Sequence, residues 1–458
     1  MKLIKSKKAS ENYLSKIVKI DTFRKHNDPE VQRLKCCTID GFNMITGIDS
    51  EPGLYVYFPA LSQINPDFLS YANLYRHKEM NKDPEQSGMF EDNGRVKAIK
   101  LRGEISEGFI IPLTVLENYI VSVTNKSLPE YEEGVEFDAV EHDGKEFWIS
   151  KKYLPKRSYT SNQGQNGGKT RCKVPKGVNK VIDTQFRFHY DTILIKKCPY
   201  VLTPDSLIQM SYKIHGTSGI SAYVICKQNL TWKQKIAKWL TGEEFNKYDY
   251  IYASRTVIKN KYYNENVSRG YYGVDVWAEA DKIVRPCLAK GQTAYYEIVG
   301  FLPTGGYIQK GYDYGCVPPK EGETYTHEKH FKVRIYRVTQ TNVDGEVFEY
   351  TPRQIQQWCA NVGLTSVEEC YYGRAGDLYS DLDPNAHWNE NFIDRLSNDK
   401  RFYMELDSPH CTNKVPHEGL VIKIEDGISR AFKLKCFRFL NKEQELLDKG
   451  EENIEDEA

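Results

Sequence analysis

An acid stands in the middle of an apolar run, Ala294-Tyr295-Tyr296-Glu297-Ile298-Val299-Gly300-Phe301, and this placement most limits how the chain folds. The run reads as a buried strand, where a carboxylate is costly unless it meets a metal, a cation or a hydroxyl donor. Two more apolar strands repeat the pattern with positive charge. Lys423 interrupts Leu420 to Ile424, just after Glu418-Gly419, and Lys433 and Lys435 share one face of Ala431 to Phe437. Like charges so placed need an anion or several carboxylates beside them. The strands predict sheets around a charged cleft, with structural ion pairs among Glu297, Glu418, Lys423, Lys433 and Lys435 as the plain alternative.

Upstream lies Tyr212-Lys213-Ile214-His215-Gly216-Thr217-Ser218. Residues two apart in a strand share a face, so Ser211, Lys213 and His215 are expected in the cleft and Met210, Tyr212 and Ile214 in the core. Gly216 is expected to turn the chain and bring backbone amides close to a phosphate. Alone, Lys-x-His-Gly reads as an exposed strand lysine before a turn. Ser254-Arg255, the Glu297 strand, Glu418 to Lys423 and Phe432-Lys433-Leu434-Lys435 follow it, so the lysine does not stand alone. A lysine attacks only as the free amine, which nearby cations favour, and charge growing on an α-phosphate asks for lysines and a divalent cation.

At 458 residues with 40% hydrophobic content, the chain is long enough for two or three domains. Its net charge of zero conceals a basic stretch from Lys151 to Tyr190, with Tyr153, Tyr159, Phe186, Phe188 and Tyr190 interleaved. That composition suits phosphate contacts and base stacking, or a solvated linker. Eleven cysteines without a CxxC pair predict reduced thiols, and Cys36-Cys37 has no ligand-spaced partner, so no zinc is expected. The first fifteen residues lack a signal-peptide apolar region and Gly108 to Leu113 is too short to span a bilayer. No membrane partner and a cytoplasmic location are the expectations.

Short strand-like pieces recur from Leu14 to Ile120: Ile17 to Ile20, Arg33 to Ile39 before Asp40-Gly41, Leu54 to Phe58, and Val96 to Leu101. With no long helical period among them, they favour a small β-barrel. Ser161 to Val178 reads as a linker. Helices are expected over Thr231 to Leu240 and after Thr351-Pro352, the latter with Gln354 completing a capping box, Gly363 as its stop and Ile355, Trp358 and Cys359 on one face. The last eighteen residues are read as a solvated or disordered acidic tail.

The N-terminal segment resembles the oligonucleotide-binding (OB) fold of tRNA-binding type, in Asp28 to Leu34 and Leu101 to Gly108. The five ordered motifs resemble those of the covalent nucleotidyltransferases, the polynucleotide ligases and mRNA capping enzymes. Lys213-Ile214-His215-Gly216 is similar to the Lys-x-His-Gly form of phage and kinetoplastid-editing RNA ligases, as is Gly305 to Gly315. An OB-like module before a ligase-type domain looks most like the Naegleria and Deinococcus type of RNA ligase. The resemblance implies an α+β protein: an OB-like barrel over residues 1–150, a basic linker over 151–180, an adenylation domain of antiparallel sheets with peripheral helices over 181–440, and the tail over 441–458.

It further implies that Lys213 takes AMP from ATP, with Tyr212, Ile214, His215, Arg255, Glu297, Tyr336, Lys423, Lys433 and Lys435 around the nucleotide. Tyr336 would stack on adenine, with Phe331 as its competitor, and Glu297 and Glu418 would hold Mg2+ or Mn2+. His215 replaces the commoner acid of the motif, which makes direct metal binding there unexpected. Lys97, Lys100, Arg102 and Gln309 are the expected RNA contacts. The implied partner is nicked or broken RNA, or an RNA/DNA hybrid, joined at 3′-hydroxyl and 5′-phosphate ends by a monomer. Only twenty-three residues follow Lys435, which leaves no room for the OB domain that DNA ligases and capping enzymes carry there. An RNA-binding protein with an inactive ligase-like half and an mRNA guanylyltransferase are the alternatives.

Overall fold

Runs rich in Val, Ile and Tyr pair into antiparallel sheets along most of the chain, whose computed structural model describes residues 1–155, 180–228, 230–242, 245–259, 272–425 and 430–450. The expected basic linker and the end of the acidic tail fall largely outside the described residues. Two sheets make up the C-terminal half. The larger runs Ile258–Lys259, Asn246–Ser254, Thr217–Lys227, Gln292–Gly300, Phe331–Thr341, Val347–Glu349, with Lys180–Val181 also on Thr217–Lys227. The smaller runs Ile193–Leu194, Arg430–Lys435, Gly419–Ile424, Leu207–Tyr212, Glu369–Arg374. The lysine strand thus lies beside strands two hundred residues later in sequence, with Ser211 opposite Val421 and Tyr212 opposite Leu420.

Period-two patterning decides what each sheet buries. Ile208, Met210, Leu420, Ile422, Phe432 and Leu434 pack beneath the smaller sheet, together with Phe392, Ile393 and Leu396 of the helix Trp388–Ser397. Helices Val276–Val284 and Pro352–Val362 cover the larger one. The second forms as its residues predict: Thr351 and Gln354 exchange capping-box bonds, Ile355, Trp358 and Cys359 are buried, and Gly363 ends it at φ 74°.

In the N-terminal half the expected strands appear as Ser15–Ile20, Leu34–Ile39 and Gly53–Pro59, and Asp40-Gly41 turns the hairpin into Phe42–Gly47. They form several small sheets, and among the described residues none closes into a barrel. Val96 to Leu101 supplies only the strand Ile99–Leu101, because Ala98 spends both backbone groups on the side-chain amide of Gln444, at 2.7 and 2.9 Å. No long helical period is expected in this segment, yet a helix forms toward its end. Leu113–Thr124 is helical, burying Leu113, Leu116, Tyr119 and Ile120 at three- and four-residue spacings.

The acidic tail likewise begins inside structure. The helix Phe437–Asp448 buries Glu443 and Gln444, which are tolerated because Glu443 pairs with Lys435 at 2.9 Å and Gln444 with Ala98. Asp448 then meets Arg95 and Lys97, so this helix ties the two halves together. Among the described residues no helix is long and apolar enough to cross a membrane. The ten described cysteines are free thiols.

Candidate active site

Between the two C-terminal sheets lies a cleft, open at its mouth, into which the separated motifs converge. The smaller sheet contributes Ser211, Tyr212, Lys213, Val421, Lys423, Ala431, Lys433 and Lys435. From the larger come Ser218, Arg255, Glu297, Tyr336, Arg337 and Glu349.

Lys213 continues the ladder by one bond, its N–H donating to Gly419 O at 2.8 Å, and the chain then leaves the strand. Strict alternation therefore stops at Tyr212. Tyr212 lies in the core with Ile214 packed against it, as expected, and both also touch the cleft wall, whereas His215 turns inward, edge-on to Tyr312 and Phe439 with ring centroids 4.9 Å away in both cases. The Gly305 to Gly315 segment braces this loop. Tyr314 OH accepts from His215 N–H at 2.6 Å, and Gln309 Nε2 donates to Gly216 O at 2.7 Å. Only 5% exposed, Gln309 offers no surface to a polynucleotide.

Gly216 is needed for close approach rather than for phosphate. A Cβ there would fall 2.3 Å from Ile298 O, and its N–H is spent on Glu297 Oε1 at 3.0 Å. Glu297, 9% exposed, is thereby anchored beside the lysine loop. Glu418, 2% exposed, puts Oε1 2.6 Å from Lys213 Nζ and Oε2 3.9 Å from His215 Nδ1. Both of its oxygens are buried and outside hydrogen-bond geometry, so ion pairing offsets its charge.

Further into the cleft, Tyr336 shares a 2.9 Å hydrogen bond with Ser218 and meets His189 edge-on at 5.0 Å, whereas Phe331 lies in the core. Lys423 Nζ donates to Tyr336 O at 2.7 Å, and burial brings its ammonium down to about 8. Burial also lowers Lys433, against the pull of Asp191 at 2.9 Å. Asp191 collects Lys433, Arg255 at 3.2 Å and the Asn12 amide at 2.9 Å. Its burial opposes charge, but Lys433 and Arg255 prevail and hold the carboxyl at about 2. Arg255 is presented by a turn in which Ser254 N–H donates to Val257 O at 2.9 Å.

Several cleft residues went unread in the sequence: His189, Asp191, Arg337 and Glu349. Arg337 is clamped by Glu349 at 2.6 Å and lies over the rings of Tyr190 and Tyr295, and His189 is lowered to about 3 by burial and then by Arg337. No local pattern announces Asp191, whose partner Lys433 is 242 positions away. Of the expected RNA contacts, Lys97 is paired with Glu91 and Asp448, and Lys100 is exposed. Arg102 sits in the turn after Ile99–Leu101 rather than on a strand, at 3.3 Å from Asp28 and 3.2 Å from Glu30. None of the three lines the cleft.

No family model matches the chain, and no curated protein matches it by sequence. Solved structures do. The Naegleria gruberi RNA ligase with PPi superposes with a TM-score of 0.53 at 15% identity, over 94% of this chain and 99% of that one. The chain has an RNA ligase fold. A variant of the same ligase with ATP and Mn gives 0.52 at 14% identity, and another with AMP and Mn gives 0.51 at 13%, each over 94% of this chain and 99% of the other. In this fold, strands distant in sequence bring Lys213, Glu297, Lys433 and Lys435 to one cleft, with Glu418 buried beside Lys213.

Proposed function

We propose that the protein is an ATP-dependent RNA ligase that seals 3′-hydroxyl and 5′-phosphate ends, and that nick repair is its task. What carries the reading is one juxtaposition: Lys213 beside the buried carboxylate of Glu418, at the edge of a cleft lined by Arg255, Lys423, Lys433 and Lys435. A nucleophilic amine next to a proton acceptor, facing cations, is what phosphoryl transfer to nitrogen requires.

In the first step Lys213 Nζ forms a bond to the α-phosphorus of ATP and the bond to pyrophosphate breaks. An RNA 5′-phosphate oxygen then takes the adenylyl group, freeing the lysine. Attack by the 3′-hydroxyl on that 5′-phosphorus forms the phosphodiester and expels AMP. Lys433 and Lys435 neutralise the phosphate oxygens, Arg255 the phosphate or the RNA end, and Tyr336 stacks on adenine. Glu297, which lines the cleft, and Glu418, beside Lys213, would hold a divalent cation together with substrate phosphates, as magnesium is commonly held by one or two carboxylates. When bound, Mg2+ or Mn2+ would supply charge neutralisation at those phosphates.

We further propose that residues 1–150 act as an OB-like RNA grip, with Lys100 and Arg102 toward the backbone, and that the adenylation unit runs on through the helix ending at Asp448. The decisive experiment is incubation with ATP labelled at the α-phosphate, with GTP labelled likewise, and with Lys213→Ala as control. Label from ATP on the wild type alone supports the reading. Label from GTP alone makes the protein a guanylyltransferase, and label on Lys213→Ala removes the lysine from the chemistry. Nicked duplexes with RNA or DNA on each side then define the substrate.

A further inference from the structure

The helix Trp232–Thr241 takes no part in the cleft and buries none of its residues. It is inserted between the strands Thr217–Lys227 and Asn246–Ser254 of the larger sheet, yet it is not a loosely ended piece of chain. Thr231 and Gln234 complete a capping box at one end, and Gly242 closes the other at φ 71°. Its exposed side chains include Trp232 at 69%, Ile236 at 48%, Trp239 at 82% and Leu240 at 68%. These stand at i, i+4, i+7 and i+8, so they form one continuous stripe. A soluble surface rarely displays two tryptophans and two aliphatic residues side by side without a use for them.

We propose that this helix docks the protein on an anionic lipid surface. Charge complementarity selects that occupant. Lys233 borders one edge of the apolar stripe and Lys235 the other, with Lys238 beyond it. The segment from Thr231 to Gly242 contains no acid, and Glu243 and Glu244 follow only past the cap. Lysines flanking a Trp- and Leu-bearing face match a bilayer whose headgroups are negative and whose interior is apolar. Tryptophan rings favour the headgroup level, and they stand near both ends of the stripe. An RNA backbone would use the lysines but has no use for Ile236 and Leu240, and a second copy of the helix would bring like charges together. The inference does not depend on ligase activity.

The test is flotation of the full-length protein with vesicles of phosphatidylcholine alone or mixed with phosphatidylserine. Binding is expected only to the mixed vesicles and to weaken with salt. Each lysine near such a surface is worth about 1 kcal/mol, so Lys233→Glu, Lys235→Glu and Lys238→Glu together lower partitioning on the order of a hundredfold or more. Trp232→Ala with Trp239→Ala should lose binding by at least about tenfold, since the anchoring rings supply the apolar burial. All five positions are surface sites outside the cleft, so lysine adenylation and thermal melting should be unchanged. The proposal is overturned by any of four results: no flotation, equal flotation with phosphatidylcholine alone, a dimer that Trp239→Ala dissolves, or loss of RNA binding in the lysine variant with lipid binding intact.

Discussion

Lys213 Nζ lies 2.6 Å from Glu418 Oε1, although 205 positions separate the two residues in sequence and neither belongs to a strand of the sheet that displays them. Their meeting pairs the carboxylate with the lysine, and in the proposed chemistry it would accept the lysine's proton. Glu418→Gln should therefore slow lysine adenylation by about 10² or more, the size of a lost general base. Single-turnover label transfer from ATP measures it; an unchanged rate would remove Glu418 from the chemistry.

Tyr336→Ala should raise the ATP requirement of adenylation by about tenfold to a hundredfold, the worth of one base stacked on an aromatic ring. Tyr336→Phe keeps the ring and loses only the hydroxyl shared with Ser218, so it should remain close to wild type. ATP titrations of both variants decide the matter.

Gly216→Ala should cripple the lysine loop while leaving the sheets in place. The added methyl meets Ile298 O at 2.3 Å, a backbone atom that cannot swing away. Adenylation is expected to fall far more than thermal stability; wild-type activity would mean that the loop has room to shift.

Lys423 gives the protein an alkaline signature. Below about 8 both folded and unfolded chains hold its proton, and the fold bears the full cost of a buried ammonium. Between about 8 and 10.5 the folded chain has released that proton and the unfolded chain has not, so stability rises with pH across the window. Denaturant melts of wild type and Lys423→Met should diverge in slope there, with wild type gaining relative to the variant. Parallel curves would refute the buried ammonium.

Asp191 acts in the opposite range. Its folded carboxyl is held down to about 2, so its stabilisation is complete above the ordinary value of 3.8 and disappears as the pH falls through that lower value. Asp191→Asn should cost about 1 kcal/mol at neutral pH, a figure reduced because solvent reaches this carboxylate, and the difference should vanish in acid. Urea melts at pH 7 and below pH 2 test it.

The charged residues of the cleft were readable because each breaks a local rule. Glu297 in an apolar strand, Lys423 in another, and Lys433 with Lys435 on one face all carry a cost that needs polar partners close by. Helix ends were readable for a similar reason, since Thr351, Gln354 and Gly363 act within a single turn. Asp191 broke no rule, and His215 was assigned by strand alternation to a face it never takes, because the strand ends three residues earlier. The tail was read from its acids, whereas Glu443 and Gln444 are buried through partners eight and 346 positions away.

By itself, then, the sequence determined which residues must share a charged environment, the order in which their strands come, and where helices start and stop, since all of these rest on neighbours within a few residues. Only the tertiary structure decided which carboxylate faces Lys213, that Asp191 gathers Lys433 and Arg255, that Gly216 serves packing, and that the final helix joins the two halves. Those outcomes are set by sheet register and by contacts hundreds of residues apart, and a one-dimensional pattern carries no measure of either.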